Sequence, residues 1–403
     1  MMFFSPARLQ VGGVWNLPDE TPVDPQSTDY RSSMYPTLRT NLPKDLMAYL
    51  DFPMAKAGCV HERYPSHACI AKYLTRFAEN FDLKRRIRFS SNVERVEKQG
   101  SKWNVRVTGV AKVEAFDAVV VANGHYFRPR FADIPGRAIF PNSVMHSQNF
   151  REAGVFRGQT VAILGASASG VDLMREIRDA GAARVYFCSE PFECSEDGTV
   201  SRRGMVTEMC ADGTIRFAND PDPSDVIDTF IFCTGYHYSF PFLPTGLVTV
   251  DDNRVQPLHR HLVHIEDPTI FFIGLPLKVI PFPLFEIQSR YVARLLRGDF
   301  KLPSKEEMYR LEEEDFQRHL ASGWKKRHAH LLGEAQVDYY NELAQVCGAD
   351  PIPDRFLKLK GMHYDNMSRH GEQFRDAHLP EMEAYEKRII QEETAPAFAP
   401  NRV

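Results

Sequence analysis

The chain has 403 residues, of which 43% are hydrophobic and 25% charged, and a formal net charge of −4. That is the make-up of a globular protein with a real core and room for two domains. It gives no electrostatic case for nucleic acid or an anionic membrane. No run of about 18 apolar residues occurs, so no transmembrane helix or membrane anchor is expected. The apolar part of the opening MMFFSPARLQ is too short for a signal peptide. The seven cysteines, at 59, 69, 188, 194, 210, 233 and 347, are odd in number and form no CxxC pair. Free thiols in a reducing, cytoplasmic compartment are therefore expected.

In chain order, residues 1–35 are rich in Pro and Asp and read as irregular. LPKDLMAYLDF (42–52) reads as a short amphipathic helix. Ile70, Tyr73, Leu74 and Phe77 recur at helical spacing and predict a helix over Ala68–Phe81. Strand-like pieces follow at 87–98, 102–109 and 116–124. Within the last, AVVVAN is a continuous apolar run, expected for a parallel strand buried on both faces. Residues 160–189 predict one βαβ unit: a buried strand, a Gly/Ser turn, an amphipathic helix ended by Gly181, and a second buried strand. VIDTFIFCTGY (226–236) and TIFFIGLP (269–276) are further buried strands, and Phe285–Leu296 reads as a helix. From 301 onward the chain is charged and helical.

The turn Gly165-Ala166-Ser167-Ala168-Ser169-Gly170 has the G-x-G-x-x-G frame with Ser at the middle Gly. Set between a buried strand and a helix, it predicts a dinucleotide site. Gly165 permits the tight turn, the small residue at 167 admits a pyrophosphate, and Gly170 lets helix and strand approach. The helix N-terminus then faces the phosphates. Glu190 closes the second strand, where an acid favours a free ribose 2′-hydroxyl and so NAD over NADP. Arg184, Arg202 and Arg203 are candidate counter-charges.

Several motifs in order resemble the flavin-containing monooxygenases, most closely the plant S-oxygenating branch. They are Gly12-Gly13-Val14-Trp15, YPTLRTNLPK (35–44), Asp51-Phe52-Pro53, FPNSVMHSQNFR (140–151), the turn at 165–170, FCTGYHYSFPFL (232–243), and the segments 246–262 and 271–298. The resemblance implies an α/β fold of two dinucleotide-binding, Rossmann-like domains, with the NADP domain (133–218) inserted into the FAD domain (1–132 and 219–403). It implies that NADPH reduces FAD, that the flavin activates O2, and that one oxygen atom passes to a soft sulfur or amine nitrogen of a small molecule. The cofactors carry the hard chemistry, which suits the lack of an evident triad. By position, Asn41 is the catalytic residue, its amide between flavin and nicotinamide. Gly12, Gly13, Val14 and Trp15 wrap the flavin. Thr40, Leu42, Val93 and Gln288 complete its surroundings, with Phe285 beside Gln288. Gly165, Ala166, Ser167, Ala168, Ser169 and Gly170 hold NADP, and Thr234 and Gly235 lie at the dinucleotide linkage. His146 reads as a structural hydrogen-bonding residue, and no metal site is expected.

Three departures from the family pattern stand out. Family members open with a strand, a Gly-rich turn and a helix, followed by a strand ending in an acid for the adenosine ribose. This chain opens near the end of that unit, with Pro6 at the acid's position, so a truncated FAD domain with an exposed sheet edge is expected. Glu190 stands where the family has a basic residue, which sets NADP against NAD. Asn142 replaces a Gly, which predicts a left-handed Asn. Two other functions compete with an oxygenase of sulfur or nitrogen: a flavin-free remnant that binds a nicotinamide nucleotide or a partner, and a Baeyer–Villiger-type monooxygenase. The H-S-x-x-F-R stretch without the Baeyer–Villiger extension argues against the last. Assembly into a homo-oligomer is left open.

Overall fold

The computed structural model describes residues 3–4, 10–17, 32–58, 62–190 and 192–394. Pro6, Cys59 and most of the irregular stretch expected over 1–35 lie outside the described residues. The other six cysteines are free.

The predicted βαβ unit forms the centre of one lobe. Strands Thr160–Leu164 and Arg184–Cys188 run parallel, joined by helix α2 (Ala168–Asp179); helix α1 (His67–Asn80) precedes it in the chain. Gly181, at φ +92°, follows the end of α2. The sheet has six strands, in the order Ser195–Asp197, Val200–Arg203, Arg184–Cys188, Thr160–Leu164, Thr229–Phe232, Ser143–His146. Only the first pair is antiparallel. Alternation along the strands divides the core. Val161, Ile163, Val185, Phe187 and Ile231 meet Leu173, Met174 and Ile177 of α2. Ala162, Leu164, Tyr186, Phe230 and Phe232 meet the hairpin that carries Val206, Met209, Ile215 and Phe217. Because Thr229–Phe232 pairs inside this sheet, we propose that the inserted unit ends beyond 232 rather than at 218.

The second lobe holds an antiparallel sheet of Val93–Gln99, Lys102–Val107 and Glu114–Phe116. Beside it lies a four-stranded sheet in which Val119–Val121 runs parallel to Ile270–Phe272. Helices α3 (Pro281–Arg297), α4 (Lys305–Ala321), α5 (Gln336–Cys347), α6 (Asp354–His370) and α7 (Pro380–Thr394) complete it. α3 and α5 pack through Leu284, Ile287, Tyr291, Tyr340 and Leu343. Strands Arg128–Pro129 and Tyr236–His237 pair where the chain passes between the lobes.

Three expectations are corrected. No α-helix forms over 42–52, only a single tight turn at Lys44–Leu46. Prolines flank the stretch, and its amides are used elsewhere: Tyr49 N–H donates to Tyr73 Oη at 2.8 Å and Leu50 N–H to Glu286 Oε2 at 2.6 Å. AVVVAN is not buried on both faces. Only Val119–Val121 is strand, at the edge of its sheet among the described residues, and Val120 is 42% exposed. Asn142 is not left-handed. Its amide donates to Ile227 O at 2.8 Å, work a glycine cannot do.

Ile163 is fully buried between the Arg184–Cys188 and Thr229–Phe232 strands. Ile163→Ala is expected to cost about 2–5 kcal/mol, read as a lower urea midpoint at unchanged slope.

Candidate functional site

The Gly-rich turn sits where three parallel strands end. Gly165 has φ +112°, and a Cβ there would lie 2.5 Å from Cys233 O. Its N–H donates to Cys188 O at 2.8 Å, fixing the turn to the neighbouring strand. A Cβ on Gly170 would lie 1.7 Å from Gly165 O, so helix and turn touch as the motif requires. Ser167, Ala168 and Ser169 are exposed and Ala166 half-buried. Ser167, the N-cap, makes no side-chain cap bond, and the first turn of α2 carries no acid. The helix N-terminus is thus open to a phosphate, and these residues fit a nicotinamide dinucleotide.

Thr234 and Gly235 follow the Thr229–Phe232 strand along the same edge. Arg130 Nε donates to Thr234 O at 3.0 Å, and Arg130 N–H to Gly235 O at 2.9 Å. His146 is fully buried. Its Nδ1 accepts from Gln148 N–H at 3.1 Å, so Nε2 carries the proton and donates to Gly235 O at 3.0 Å. Burial, ahead of the opposing bond to Gly235, lowers its pKa to about 4. The structural role expected of His146 matches this geometry.

Gly12 (φ +119°) and Gly13 (φ +53°) turn the chain before the 40–42 segment. Val14 O accepts from Ser32 Oγ, and Trp15 N–H donates to Gly12 O at 3.0 Å. Trp15 and Leu42 pack on one cluster with Met47, Met54, Tyr73 and Phe282. The fold therefore packs Trp15 of the 12–15 turn and Leu42 of the 40–42 segment on one cluster. Thr40 is buried: its N–H donates to Pro65 O at 2.9 Å and its hydroxyl to Leu42 O at 2.7 Å. Asn41 next to it is exposed, and its amide has no hydrogen-bond partner among the described residues. A rigid mount thus carries a free donor and acceptor. Val93 and Gln288 are not brought to this point. Val93 packs with Trp103 and Phe272. Gln288 is fully buried, accepting from Gly274 N–H at 2.9 Å and donating to Tyr339 Oη at 2.8 Å, so its amide is already committed.

Sequence reading missed Arg375. Its side chain is 3% exposed; Nε donates to Thr40 O at 2.9 Å and the two terminal nitrogens bind Asp172 of α2 at 2.7 and 2.9 Å. These partners lie 335 and 203 residues away, beyond any local pattern. Tyr126 and Tyr236 were also missed; their rings meet at 5.5 Å beside His125 and His146. Tyr126 is 48% exposed, and desolvation by the surrounding protein raises its phenol's pKa.

Arg375→Ala is expected to lower stability by about 3–5 kcal/mol, because Asp172 is left without its partner; thermal melting reads it. Acid should also unfold the chain. Burial lowers His146, His259, His261 and His363 from 6.5 to about 4. Their neutral forms stabilise the fold fully above 6.5, and that contribution is lost as pH falls through about 4. The melting temperature should drop across this window, with His146→Gln flattening the slope.

The family model described as Flavin-binding monooxygenase-like matches residues 7–193 and 190–361. The chain is similar to the Arabidopsis thaliana protein "Flavin-containing monooxygenase FMO GS-OX5", 39% identical over 406 residues, covering 94% of this chain and 87% of the relative. Its fold superposes on the S-allyl-L-cysteine S-oxygenase from Allium sativum with a TM-score of 0.88 and 35% identity, covering 97% of this chain and 93% of that one. A structure of Tmm from Pelagibacter sp. strain HTCC7211 shares the fold at TM-score 0.79 and 22% identity. No helix of the described residues is long and apolar enough to cross a membrane. The chain belongs to the flavin-binding monooxygenase-like family, an enzyme family whose cofactors are FAD and NADP.

Proposed function

We propose that the chain transfers one oxygen atom from O2 to a soft nucleophile of a small molecule, a thioether sulfur first and an amine nitrogen second. In balance, thioether, O2, NADPH and a proton give sulfoxide, water and NADP+. The observation that carries this reading is Asn41, an amide without a partner among the described residues, on a backbone anchored by Thr40 and tied through Arg375 to α2. The name of the Allium sativum relative, an S-oxygenase, favours sulfur. Bound FAD and NADPH supply the hydride and the activation of O2.

The chain's own residues bind, orient and exclude water. The α2 N-terminus and the 165–170 turn hold the phosphates of the dinucleotide. Gly12, Gly13, Val14 and Trp15 form the wall on the flavin side. Asn41 would offer an N–H to the oxygen to be transferred and its carbonyl to the nicotinamide amide. The half-buried Tyr236 and the exposed Tyr126 line the cleft. The free cysteines suit a reducing cytoplasm.

The test is the visible spectrum of the purified chain supplied with FAD, followed by NADPH-dependent sulfoxidation of an S-alkyl cysteine. Co-elution of flavin with the protein and formation of sulfoxide are expected. Folded protein that retains no flavin would favour the nucleotide-binding remnant, and turnover of ketones but not thioethers the Baeyer–Villiger reading. Asn41→Ser is expected to keep the flavin and lose roughly 100-fold or more in kcat; unchanged turnover removes Asn41 from the mechanism.

A further inference from the structure

The charge at the C-terminal edge of the nucleotide sheet is unbalanced. Glu190, just past the Arg184–Cys188 strand, meets Lys325 Nζ at 3.5 Å. Lys325 comes from the segment that follows α4 in the other lobe, so this ion pair spans the crevice. Arg327 follows Lys325 by two residues and Lys278 lies against Trp324, the residue before Lys325; neither these two nor Arg130 has an ion pair among the described residues. They feel one another. The guanidinium of Arg130 is lowered by burial and then by Arg327, against Asp252 alone. His328 is lowered by burial and then by Arg327, His319, Lys278 and Arg130 in turn. Lys278 sits 5.7 Å from the ring of Trp324, itself 41% exposed.

The arginines nearest in sequence to the nucleotide strand are spent. Arg184 binds Glu196 at 2.9 Å, Arg202 binds Glu372 at 3.3 Å, and Arg203 binds Glu196 at 2.6 Å and Asp220 at 2.8 Å. Lys326 is held by Asp251. Like charges clustered with few counter-charges are unfavourable until an anion joins them. The Glu190–Lys325 pair itself lies just past the carboxyl end of a parallel strand, the end at which dinucleotides bind in such sheets. The strand end itself offers only Glu190, which repels a phosphate.

We propose that Lys325 and Arg327 recognise the adenosine 2′-phosphate of NADPH from across the crevice. Lys325 cancels the charge of Glu190, Arg327 supplies the fork that fits a phosphate, and Arg130 and Lys278 extend the positive field. Glu190 is then not a mark of NAD specificity. This inference rests on the reading of the 165–170 turn as a dinucleotide site and adds by which residues the 2′-phosphate is held.

Calorimetric titration of the full chain with adenosine 2′,5′-bisphosphate and with 5′-AMP tests it without needing flavin or turnover. The wild type is expected to prefer the bisphosphate. Lys325→Gln and Arg327→Ala should each weaken the bisphosphate roughly tenfold while leaving 5′-AMP within about twofold. Glu190→Gln should strengthen it. Arg310→Ala, on α4 and paired with Glu307 and Glu314, should change neither ligand. Lys325 is exposed, so its variant carries the test even if Arg327→Ala folds poorly. Wild-type bisphosphate affinity in both variants, or parallel loss of both ligands, would overturn the assignment. Failure of the wild type to bind either nucleotide would overturn the dinucleotide reading itself, and this inference with it.

Discussion

One guanidinium holds the two halves of this site in register. Arg375 is buried, and its planar fork meets both oxygens of Asp172 while Nε reaches Thr40 O. Asp172 lies on α2, whose N-terminus is proposed to hold the dinucleotide phosphates. Thr40 precedes Asn41, the residue proposed to act on the reacting atoms. A displacement of either segment would break a charge-assisted bond in a buried setting, where a lone carboxylate is costly. The geometry between phosphate site and amide is thus set by a side chain that touches neither.

The same junction is braced elsewhere. Thr37 Oγ1 donates to Glu176 of α2, and Arg39 reaches Asp376 at 2.6 Å. Behind Asn41, buried Lys44 lies 3.3 Å from Asp45 and 3.9 Å from Glu386 of α7, and Arg63 meets Glu386 at 3.2 Å. Burial pushes the Asp45 and Glu386 carboxyls up, and the neighbouring cations oppose it. The C-terminal helices therefore serve as a brace for the active segment. Their charged sequence, which reads as solvated surface, conceals this.

Much of the site was legible because its signals are local. The 165–170 turn is written in glycine positions that the backbone enforces: a Cβ at 165 or 170 collides with carbonyl oxygens. The strands at 160–164 and 229–232 are continuous apolar runs because both faces are covered. The resemblance that identified Asn41 also rests on short contiguous motifs. The helix expected over 42–52 failed because its amides found side-chain acceptors from α1 and α3, which no window of sequence contains. AVVVAN misled because an apolar run reports composition, and the number of flanking strands decides burial.

By itself, the sequence determined the family and the βαβ unit with its Gly-rich turn. Each follows from steric rules acting within a few residues or from motifs that keep their spacing. Only the tertiary structure decided that Gln288 is committed to Gly274 and Tyr339, that Arg375 joins α2 to Thr40, and that Lys325 rather than a neighbouring arginine stands against Glu190. Those outcomes depend on charges and hydrogen-bonding groups from distant segments meeting in space. Electrostatic pairing has no sequence period, so it becomes visible only once the chain has folded.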